Sequence, residues 1–423
     1  MSDEYFVFAD VDGYERSSEY TVGGLCPIRI GCVLGSPPRY RIINKLGRGA
    51  FSTVWLARDL VESRNVALKI IQADRTSDSK ELTILQRLKV SDAEEPRVIQ
   101  LLDVFEHTSP NGTHQVLVME PVHPIDFMRY SAFRPIFTRE AVHQMIQGLA
   151  FIHNRGIAHG DLHPGNLGVA APEIHQFSEV DIWSQSNRPY TLAIVHSSVD
   201  QNPDSFPPYL CGDMDLGKFL LERAPEFTQR PLSIRILDLG NAYIVGESSS
   251  PRCVTPMTYA PPEVVFRQQA LKDLHAPWDQ SSDIWSLALC IHAFICSDGL
   301  FSHITGNLLH EMMHYCGEVP NAWRKFIKSN PFPRGKPRPE HADKLWKERE
   351  KVFAVRGVED PPGLVRLLRR MMVLDPAKRP SAAKLLCDPY FTGLQALRAP
   401  SAASYLHDPE HATPDFQTNR FLR

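Results

Sequence analysis

The hydrophobic periodicity of the chain changes near Pro124, and this change constrains the fold more than any other feature. Between Tyr40 and Ile71, short β-branched and aromatic runs alternate with glycine or polar turns, which predicts a small antiparallel sheet. A helical pattern follows over 80–90, and the apolar runs VIQLLDVF and HQVLVME complete the predicted sheet. Beyond Pro124, apolar residues recur at i, i+3 and i+4, interrupted by a polar stretch at 329–350. A larger helical domain is therefore expected.

These patterns predict an α+β protein of two lobes. A small β-rich lobe is expected over residues 40–122 and a larger, mainly helical lobe over 123–392. Residues 1–39 are predicted to form an irregular N-terminal arm, and 393–423 a C-terminal tail. The stretch 170–234 is rich in Ser, Pro, Asn and Gln, and we interpret it as a partly flexible spacer inserted in the large lobe.

Charge and cysteine content exclude several classes of protein. The 46 Lys and Arg residues nearly balance the 49 Asp and Glu residues, so no overall basic field attracts nucleic acid or a membrane. The N-terminus lacks the pattern of a secretory signal, and no apolar run approaches the ~20 residues of a membrane span. The eight cysteines form no C-x-x-C pair. We expect a monomer of the cytoplasm and nucleus with reduced thiols, without direct nucleic-acid or membrane contacts.

A glycine-rich loop lies between two predicted strands. A Rossmann fingerprint would open a helix and a Walker loop would end in Gly-Lys-Ser/Thr, whereas a hairpin loop places backbone amides over phosphates. The pattern G-x-G-x-x-S is short, and a plain hairpin turn would show it too. The loop consists of Leu46, Gly47, Arg48, Gly49, Ala50, Phe51, Ser52, Thr53 and Val54.

Charged residues at set spacings suggest phosphoryl transfer. Lys69 ends an apolar strand and Glu81 lies on the predicted helix that follows, so a pair between them would aim the ammonium at phosphates. Asp161 and Asn166 match D-x-x-x-x-N, in which the Asp accepts a hydroxyl proton and the Asn helps to hold Mg²⁺. Asp238 ends another apolar strand and is suited to bind the same metal. Each motif alone would also fit surface charges or a polar turn.

The order of these motifs resembles that of the eukaryotic protein kinases. Three later segments complete the similarity, which spans roughly residues 20–392: Pro261-Pro262-Glu263, Asp283-Ile284-Trp285-Ser286 and Asp375-Pro376-Ala377-Lys378-Arg379-Pro380. The resemblance implies a bilobed kinase fold that binds ATP and Mg²⁺ between the lobes. It also implies that Asp161 is the base, that Lys69 with Glu81 positions phosphates, and that Asn166 and Asp238 hold the metal.

The same resemblance assigns further residues. Met119 is similar to the gatekeeper, so the backbones of Glu120 and Val122 are expected to contact adenine. Ala67 is expected to bind the cofactor as well. By the same similarity, Glu263 is expected to pair with Arg379, and Asp283 to brace the backbone of the catalytic loop.

Within the kinases, three segments resemble the SR-protein kinases: residues 19–31, Phe51 to Trp55 and Asp238 to Ala242. The SR-protein kinases phosphorylate serines in Arg/Ser-rich splicing factors. Those kinases also carry an insertion before the D-L-G motif, where this chain has its spacer. The resemblance therefore implies a protein substrate with Ser or Thr, Arg/Ser-rich in type.

The sequence departs from the kinase pattern at three positions. Gly160 replaces the usual Arg, which argues against activation by loop phosphorylation, and the SR-protein kinases share this absence. His163 replaces a phosphate-contacting Lys and would supply less charge at pH 7. Pro256 stands where a peptide-positioning Thr is usual, with Thr255 and Thr258 nearby. Acidic candidates for docking an Arg/Ser-rich segment are scattered: Asp213, Asp215, Glu222 and Glu226.

Three alternatives remain open at this stage. The catalytic loop also resembles that of aminoglycoside and choline phosphotransferases, although the later landmarks favour a protein kinase. His163 and Pro256 would suit a catalytically weak, nucleotide-binding scaffold. Residues 310–314 fit the zinc-protease pattern H-E-x-x-H, but Pro320 stands where the extended pattern needs a third His, so we expect an ordinary amphipathic helix.

Overall fold

The computed structural model describes most of the chain. It covers residues 13–77, 80–89, 97–125, 134–183, 189–194, 202–247, 253–273, 278–301, 308–329 and 336–394. Two lobes are present as predicted: a β-sheet with one helix, followed by a mainly helical unit. Within the described ranges, no helix has the length and hydrophobicity needed to cross a bilayer. The predicted C-terminal tail lies almost wholly outside the described residues.

The small lobe is a six-stranded antiparallel sheet in the order β1-β2-β3-β4-β6-β5, with helix α1 beside it. The run VIQLLDVF is a strand only from Leu101 onward, because Val98 instead forms an isolated bridge with Ile236 of the large lobe. The elements are β1 (Val33–Leu34), β2 (Tyr40–Gly49), β3 (Ser52–Asp59), β4 (Arg64–Ile71), α1 (Glu81–Arg87), β5 (Leu101–Ser109) and β6 (Gly112–Met119).

Both faces of this sheet are covered, which explains why β4 is buried along seven of its eight residues instead of alternating. The inner face joins α1 and the large lobe in one apolar core. The outer face packs against Cys26 and Ile28 of the N-terminal arm and Cys211 of the spacer. Arm and spacer therefore form part of the small lobe's core.

The large lobe is built on the buried helix α6, whose residues 282–296 are all buried. Helix α9 begins within the polar stretch 329–350 and buries Ala342, Trp346 and Phe353, while most of its charged residues are exposed. The helices are α2 (Arg134–His153), α3 (Glu179–Ile182), α4 (Leu216–Arg223), α5 (Pro262–Phe266), α6 (Gln280–Cys296), α7 (Leu308–Cys316), α8 (Arg324–Ser329), α9 (Pro339–Val355), α10 (Pro361–Met371) and α11 (Ala382–Leu385).

Short strands beneath the sheet carry the loops of the site. Strand β9 pairs with both β7 and β12, and β8 pairs with β13. Since β9 and β12 are partners, the intervening residues form an excursion between two adjacent strands. The strands are β7 (Val122–Pro124), β8 (Ile157–Ala158), β9 (Leu167–Ala170), β10 (Thr191–Ala193), β11 (Tyr209–Cys211), β12 (Ile234–Ile236) and β13 (Tyr243–Ile244).

The described parts of the spacer are folded onto the rest of the chain. Strands β10 and β11 form a hairpin, and Tyr20 and Leu25 of the arm cluster with Leu210. The side-chain amide of Asn111, in the β5–β6 turn, donates to the carbonyls of Leu25 (2.7 Å) and Ser205 (2.8 Å). Arm, sheet and spacer thus meet at one place.

A buried lysine holds this junction together. The Nζ of Lys45 in β2 lies 2.5 Å from a carboxylate oxygen of Glu15, 3.1 Å from Asp213 and 3.2 Å from the carbonyl of Cys211. Lys45 and Glu15 are almost fully buried. A buried ammonium with two carboxylate partners is tolerated, whereas removal of the cation leaves a carboxylate uncompensated.

We therefore expect Lys45→Met to lower the free energy of unfolding by about 3 kcal/mol, because Glu15 would remain buried without a counter-charge. Chemical denaturation followed by tryptophan fluorescence measures the change. Lys218→Met is the matched control, because the Lys218–Glu222 pair is exposed on α4 and should contribute less than about 1 kcal/mol. Equal effects of the two substitutions would contradict the structural role of Lys45.

Candidate active site

Three charged side chains from three elements meet between the lobes. The Nζ of Lys69 in β4 lies 2.7 Å from both carboxylate oxygens of Glu81, the first residue of α1. The same Nζ lies 2.9 Å from Oδ1 of Asp238, which follows β12. The predicted Lys69–Glu81 pair is therefore present, and Asp238 completes a triad.

The charges in this triad stabilise one another. Burial lowers the pKa of Lys69, but Asp238 and Glu81 more than offset this effect and keep the ammonium charged. The Lys69 ammonium holds the pKa of Asp238 at about 2, against the opposing effect of burial. The contribution of Asp238 to folding is therefore complete above its ordinary pKa of 3.8 and is lost as the pH falls towards about 2. About 40% of the Asp238 side chain faces the cleft.

Asp161 and Asn166 lie together in the loop after β8. The side-chain NH₂ group of Asn166 donates to the backbone carbonyl of Asp161 (2.8 Å). The amide oxygen of Asn166 is therefore the atom that could bind a metal ion. Oδ2 of Asp161 accepts a hydrogen bond from Nδ2 of Asn241 (3.2 Å). Its Oδ1 is buried without a hydrogen-bond partner among the described residues, which suits an acceptor waiting for a substrate proton.

The backbone of this loop is held by a buried carboxylate, as the sequence predicts. Asp283 of α6 accepts hydrogen bonds from the backbone N–H groups of His159 (2.8 Å) and Gly160 (3.1 Å). Nε2 of His153 and Nε1 of Trp278 also contact this carboxylate, at 2.9 and 2.7 Å. Burial raises the pKa of Asp283, but these partners outweigh burial and hold it below the usual range.

The loop is also tied to the D-L-G segment. Nε2 of His159 lies 2.9 Å from the carbonyl of Leu237, and the Leu237 N–H donates to the carbonyl of Asn166 (2.9 Å). Base and metal-binding candidates are therefore fixed relative to each other by backbone contacts.

Gly160 has a structural reason to be glycine. Its φ of +78° is in the left-handed region, and an added Cβ would lie 2.5 Å from the carbonyl oxygen of Asn241. The position that usually carries Arg therefore has no room for a side chain. The Thr255 hydroxyl lies 3.4 Å from the Gly160 carbonyl, so Thr255, adjacent to Pro256, links the later loop to this one.

His163 is a neutral group beside the base. Burial lowers its pKa below the ordinary 6.5, although the charge of Asp161 opposes this shift. Its Nδ1 accepts the Gly165 N–H (3.1 Å), which assigns the proton to Nε2, 3.9 Å from Oδ1 of Asp161. At pH 7 this position therefore supplies an N–H dipole rather than a positive charge.

The glycine-rich loop is a tight hairpin between β2 and β3. Gly49 pairs with Ser52 and leaves Ala50 and Phe51 at the turn, with the Arg75 guanidinium 4.5 Å from the centre of the Phe51 ring. A Cβ added to Gly47 would meet nothing within 4 Å. The hairpin thus has the predicted strand–turn–strand context.

The expected adenine end lies where the sheet meets the large lobe. Met119 ends β6 and pairs with Ala67 of β4, and Val122 begins β7. The Glu120 carboxylate accepts a hydrogen bond from Nε of Arg235 (2.8 Å), so its side chain is turned towards β12.

A second predicted ion pair is confirmed in the large lobe. Arg379 donates two hydrogen bonds to Glu263, from Nη1 at 2.9 Å and from Nη2 at 2.6 Å. The guanidinium is fully buried and also donates to backbone carbonyls, including that of Val373 (2.7 Å). This bidentate pair fixes the start of α5, which follows the predicted peptide-binding segment.

Two of the scattered acidic candidates have structural roles instead of forming a docking cluster. Asp213 pairs with Lys45, and the Asp215 side chain caps the N-terminus of α4. Glu222 lies near Lys218 on the exposed face of α4, and the side chain of Glu226 is outside the described residues. Residues 310–314 lie in α7 as expected, and in the described part of the chain they form no three-residue group of metal ligands.

Sequence reasoning missed the roles of Asn241, His159 and Arg235. Asn241 stands three residues after Asp238, in a segment whose sequence indicates only similarity to the SR-protein kinases. Nothing in the spacing of these residues reveals that the Asn241 side chain reaches Asp161. His159 and Arg235 act through contacts with backbone and side chains distant in sequence, which periodicity does not indicate.

The protein kinase domain family matches residues 40–186 and 219–391, which is more than half of the chain. The chain therefore belongs to the protein kinase family. The unmatched residues 187–218 lie within the predicted spacer.

Proteins of similar sequence indicate which class of protein kinase this is. The chain is 28% identical over 414 residues to the serine/threonine-protein kinase SRPK of Physarum polycephalum, covering 89% of this chain and 91% of that one. It is 30% identical to human SRSF protein kinase 3 over 208 residues, which cover 46% of this chain and 36% of the relative. A crystal structure of a kinase domain has a TM-score of 0.56 at 17% identity, covering 86% of this chain and 98% of that one. The chain is thus a protein kinase of the serine/threonine class, similar to the SR-protein kinases.

We expect Gly160→Ala to impair activity by roughly 100-fold, because the new methyl group displaces the Asn241 carbonyl and with it the side chain that holds Asp161. The left-handed backbone adds about 1–2 kcal/mol of strain. Phosphoryl-transfer kinetics and thermal unfolding measure the two effects. Gly246→Ala is the control, because Gly246 also has a positive φ (+86°) but open space around it. Wild-type turnover in Gly160→Ala would show that the contact with Asn241 is unimportant.

Proposed function

We propose that this protein transfers the γ-phosphoryl group of ATP to serine or threonine residues of protein substrates of the Arg/Ser-rich type. The observation that carries the proposal is the arrangement of Lys69, Glu81 and Asp238 beside a buried Asp161 with one unused carboxylate oxygen. The family match supports transfer to protein, and the names of the relatives support the serine/threonine class and the substrate type.

The side-chain oxygen atoms of Asp238 and Asn166 suit Mg²⁺. Asp238 presents a partly exposed carboxylate that stays ionised because its pKa is about 2, and Asn166 keeps its amide oxygen as a possible ligand. Oxygen ligands of this kind suit Mg²⁺, which would neutralise charge on the phosphates when bound. The open space at Gly47 and the backbone of its hairpin suit a polyphosphate.

The protein's own groups then have distinct tasks. Lys69 supplies a fixed positive charge to phosphate oxygens, and Glu81 keeps the ammonium in place. Oδ1 of Asp161 accepts the proton of the attacking hydroxyl, while Asn241 orients the carboxylate through Oδ2. Asp283 fixes the loop that carries the base, so little reorganisation is needed during transfer.

The substrate and cellular setting are inferred from similarity. An Arg/Ser-rich segment needs acidic groups for docking, but Asp213 and Asp215 are engaged within the fold. Docking through few charges would make binding of such a segment weaker, and less steeply dependent on salt concentration, than docking in an acidic groove. We also propose that the protein works in the cytoplasm and nucleus, consistent with its cysteine content.

The direct test is transfer of labelled phosphate from Mg-ATP to an Arg/Ser-repeat peptide, a generic basic peptide and a panel of small aminoalcohols. We expect preference for the Arg/Ser peptide. Asp161→Asn should reduce turnover by roughly 10²–10⁴-fold through loss of the base, and Asp238→Ala should abolish it while the fold is retained.

Asp343→Asn serves as the control, because this exposed carboxylate pairs with Arg369 on the surface and should not affect turnover. Wild-type activity in Asp238→Ala would refute the assigned role of Asp238. Transfer to aminoalcohols alone would instead support a small-molecule phosphotransferase.

A nucleotide-binding scaffold with weak catalysis is the second candidate, and His163 is the observation that favours it. The pKa of its imidazole is lowered by burial, so the group is uncharged at pH 7. Binding of labelled nucleotide without transfer to any acceptor would support this candidate.

We expect His163→Lys to raise turnover about tenfold, because one charged hydrogen bond to a phosphate contributes about 1.5 kcal/mol. Since protonation of the wild-type imidazole requires a pH below its ordinary pKa, the advantage should be complete above pH ~7 and shrink in acid. Steady-state kinetics over this range measure the ratio. An unchanged or lower rate would mean that the imidazole does not limit transfer.

A further inference from the structure

Three potential metal ligands converge at the C-terminal end of α6, away from the kinase cleft. His292 and Cys296 are one helical turn apart on the same face of the helix, and Asp298 follows two residues after the helix ends. One ligand atom from each side chain lies within 4.8 Å of the other two. A metal ion with bonds of 2.0–2.3 Å brings its ligand atoms to about 3.5 Å from one another, so small side-chain rotations suffice.

The environment of His292 favours contact with a ligand. The residue is fully buried, and in the described part of the chain its ring nitrogens make no hydrogen bond of ordinary geometry, only a weaker contact with the backbone of Asp298. The ring is packed against the edge of Phe353, with ring centres 5.9 Å apart. A buried polar group without a partner is destabilising, so an imidazole retained here needs another explanation than packing.

The position of His292 suits coordination. A neutral imidazole offers a nitrogen lone pair, and histidine nitrogens are common Zn²⁺ ligands. The ring lies on the same helix face as Cys296, so both side chains can reach one ion.

We propose that His292, Cys296 and Asp298 form a binding site for one Zn²⁺ ion, with water in the fourth position on the exposed side of Asp298. The combination of imidazole nitrogen, thiolate sulfur and carboxylate oxygen matches the ligand preference of Zn²⁺, whereas Mg²⁺ and Ca²⁺ prefer oxygen alone. Binding releases one proton, from the Cys296 thiol, and the thiolate and carboxylate then neutralise the charge of the ion.

The end of the helix favours a cation at this place. The C-terminus of α6 carries the negative end of the helix dipole, and Ser297 turns the chain there with a φ of +66°. The Arg356 guanidinium donates to the backbone carbonyl of Cys296 (3.1 Å), which fixes the last turn of the helix. Two nearby cations, Arg349 and Arg356, would repel the ion, and the two anionic ligands counter this repulsion.

This site is separate from the chemistry of phosphoryl transfer. His292 lies nine residues after Asp283 on the same helix, a rise of about 14 Å. The ion would stabilise the last turn of α6 and the chain that follows it. It also differs from the H-E-x-x-H segment in α7, which contributes none of these ligands.

The experiment uses the full chain, stripped with a chelator and titrated with ZnCl₂. We expect one equivalent of zinc to remain after dialysis, measured by inductively coupled plasma mass spectrometry, and the melting temperature to rise by a few degrees. Substitution with Co²⁺ should produce a thiolate-to-cobalt charge-transfer band, which reports directly on Cys296 as a ligand. Absence of bound zinc at micromolar concentrations would overturn the proposal.

Substitution of each proposed ligand tests where the zinc ion binds. Asp298→Asn, which is exposed and should not disturb folding, is expected to weaken zinc binding at least about tenfold. Cys296→Ser should remove the cobalt charge-transfer band, and His292→Gln should abolish the zinc-dependent rise in melting temperature. Cys387→Ser is the control, because this cysteine is the exposed thiol most open to adventitious zinc. If Cys387→Ser removes the bound ion and Asp298→Asn does not, the proposed ligands are wrong.

Discussion

The buried ammonium of Lys69 is the interaction on which the rest of the site depends. It draws together a strand of the small lobe, the first residue of α1 and the loop after β12, because carboxylates on both sides compensate the buried charge. Glu81 holds the lysine and Asp238 gains a low pKa from it. The same contact thus sets the position of α1 and keeps a metal-binding carboxylate ionised. The ion pairs of Lys69 therefore determine both the geometry and the electrostatics of the cleft.

A second buried charge, the carboxylate of Asp283, fixes the backbone of the catalytic loop. Asp283 accepts two backbone N–H groups of that loop and is itself held by His153 and Trp278. Gly160 adopts a left-handed conformation against the Asn241 carbonyl, a contact that any side chain would prevent. The absence of an arginine here is therefore part of how the loop packs. No phosphate-binding arginine is needed to order this backbone, since buried carboxylate contacts do so.

The small lobe relies on segments outside the usual kinase core. The arm and spacer cover the outer face of the sheet, and Lys45 ties both to β2 near the glycine-rich loop. The insertion at 187–218, which the family match omits, is thus attached through Cys211 and Asp213 to the lobe that we propose binds nucleotide. Packing of this kind buries apolar surface on both faces of the sheet.

The sequence alone determined the two-lobed fold, the order of the motifs and the Lys69–Glu81 and Glu263–Arg379 pairs, because periodicity and spacing record local structure and the similarity supplied long-range pairing. It left the spacer as a polar, partly flexible stretch and gave no role to Asn241 or Lys45. Only the tertiary structure decided these points, since hydrogen bonds between residues distant in sequence leave no periodic trace. The same holds for His292: its i, i+4 spacing with Cys296 is visible in the sequence, but the burial of its ring beside Cys296 and Asp298 is a property of the packed helix.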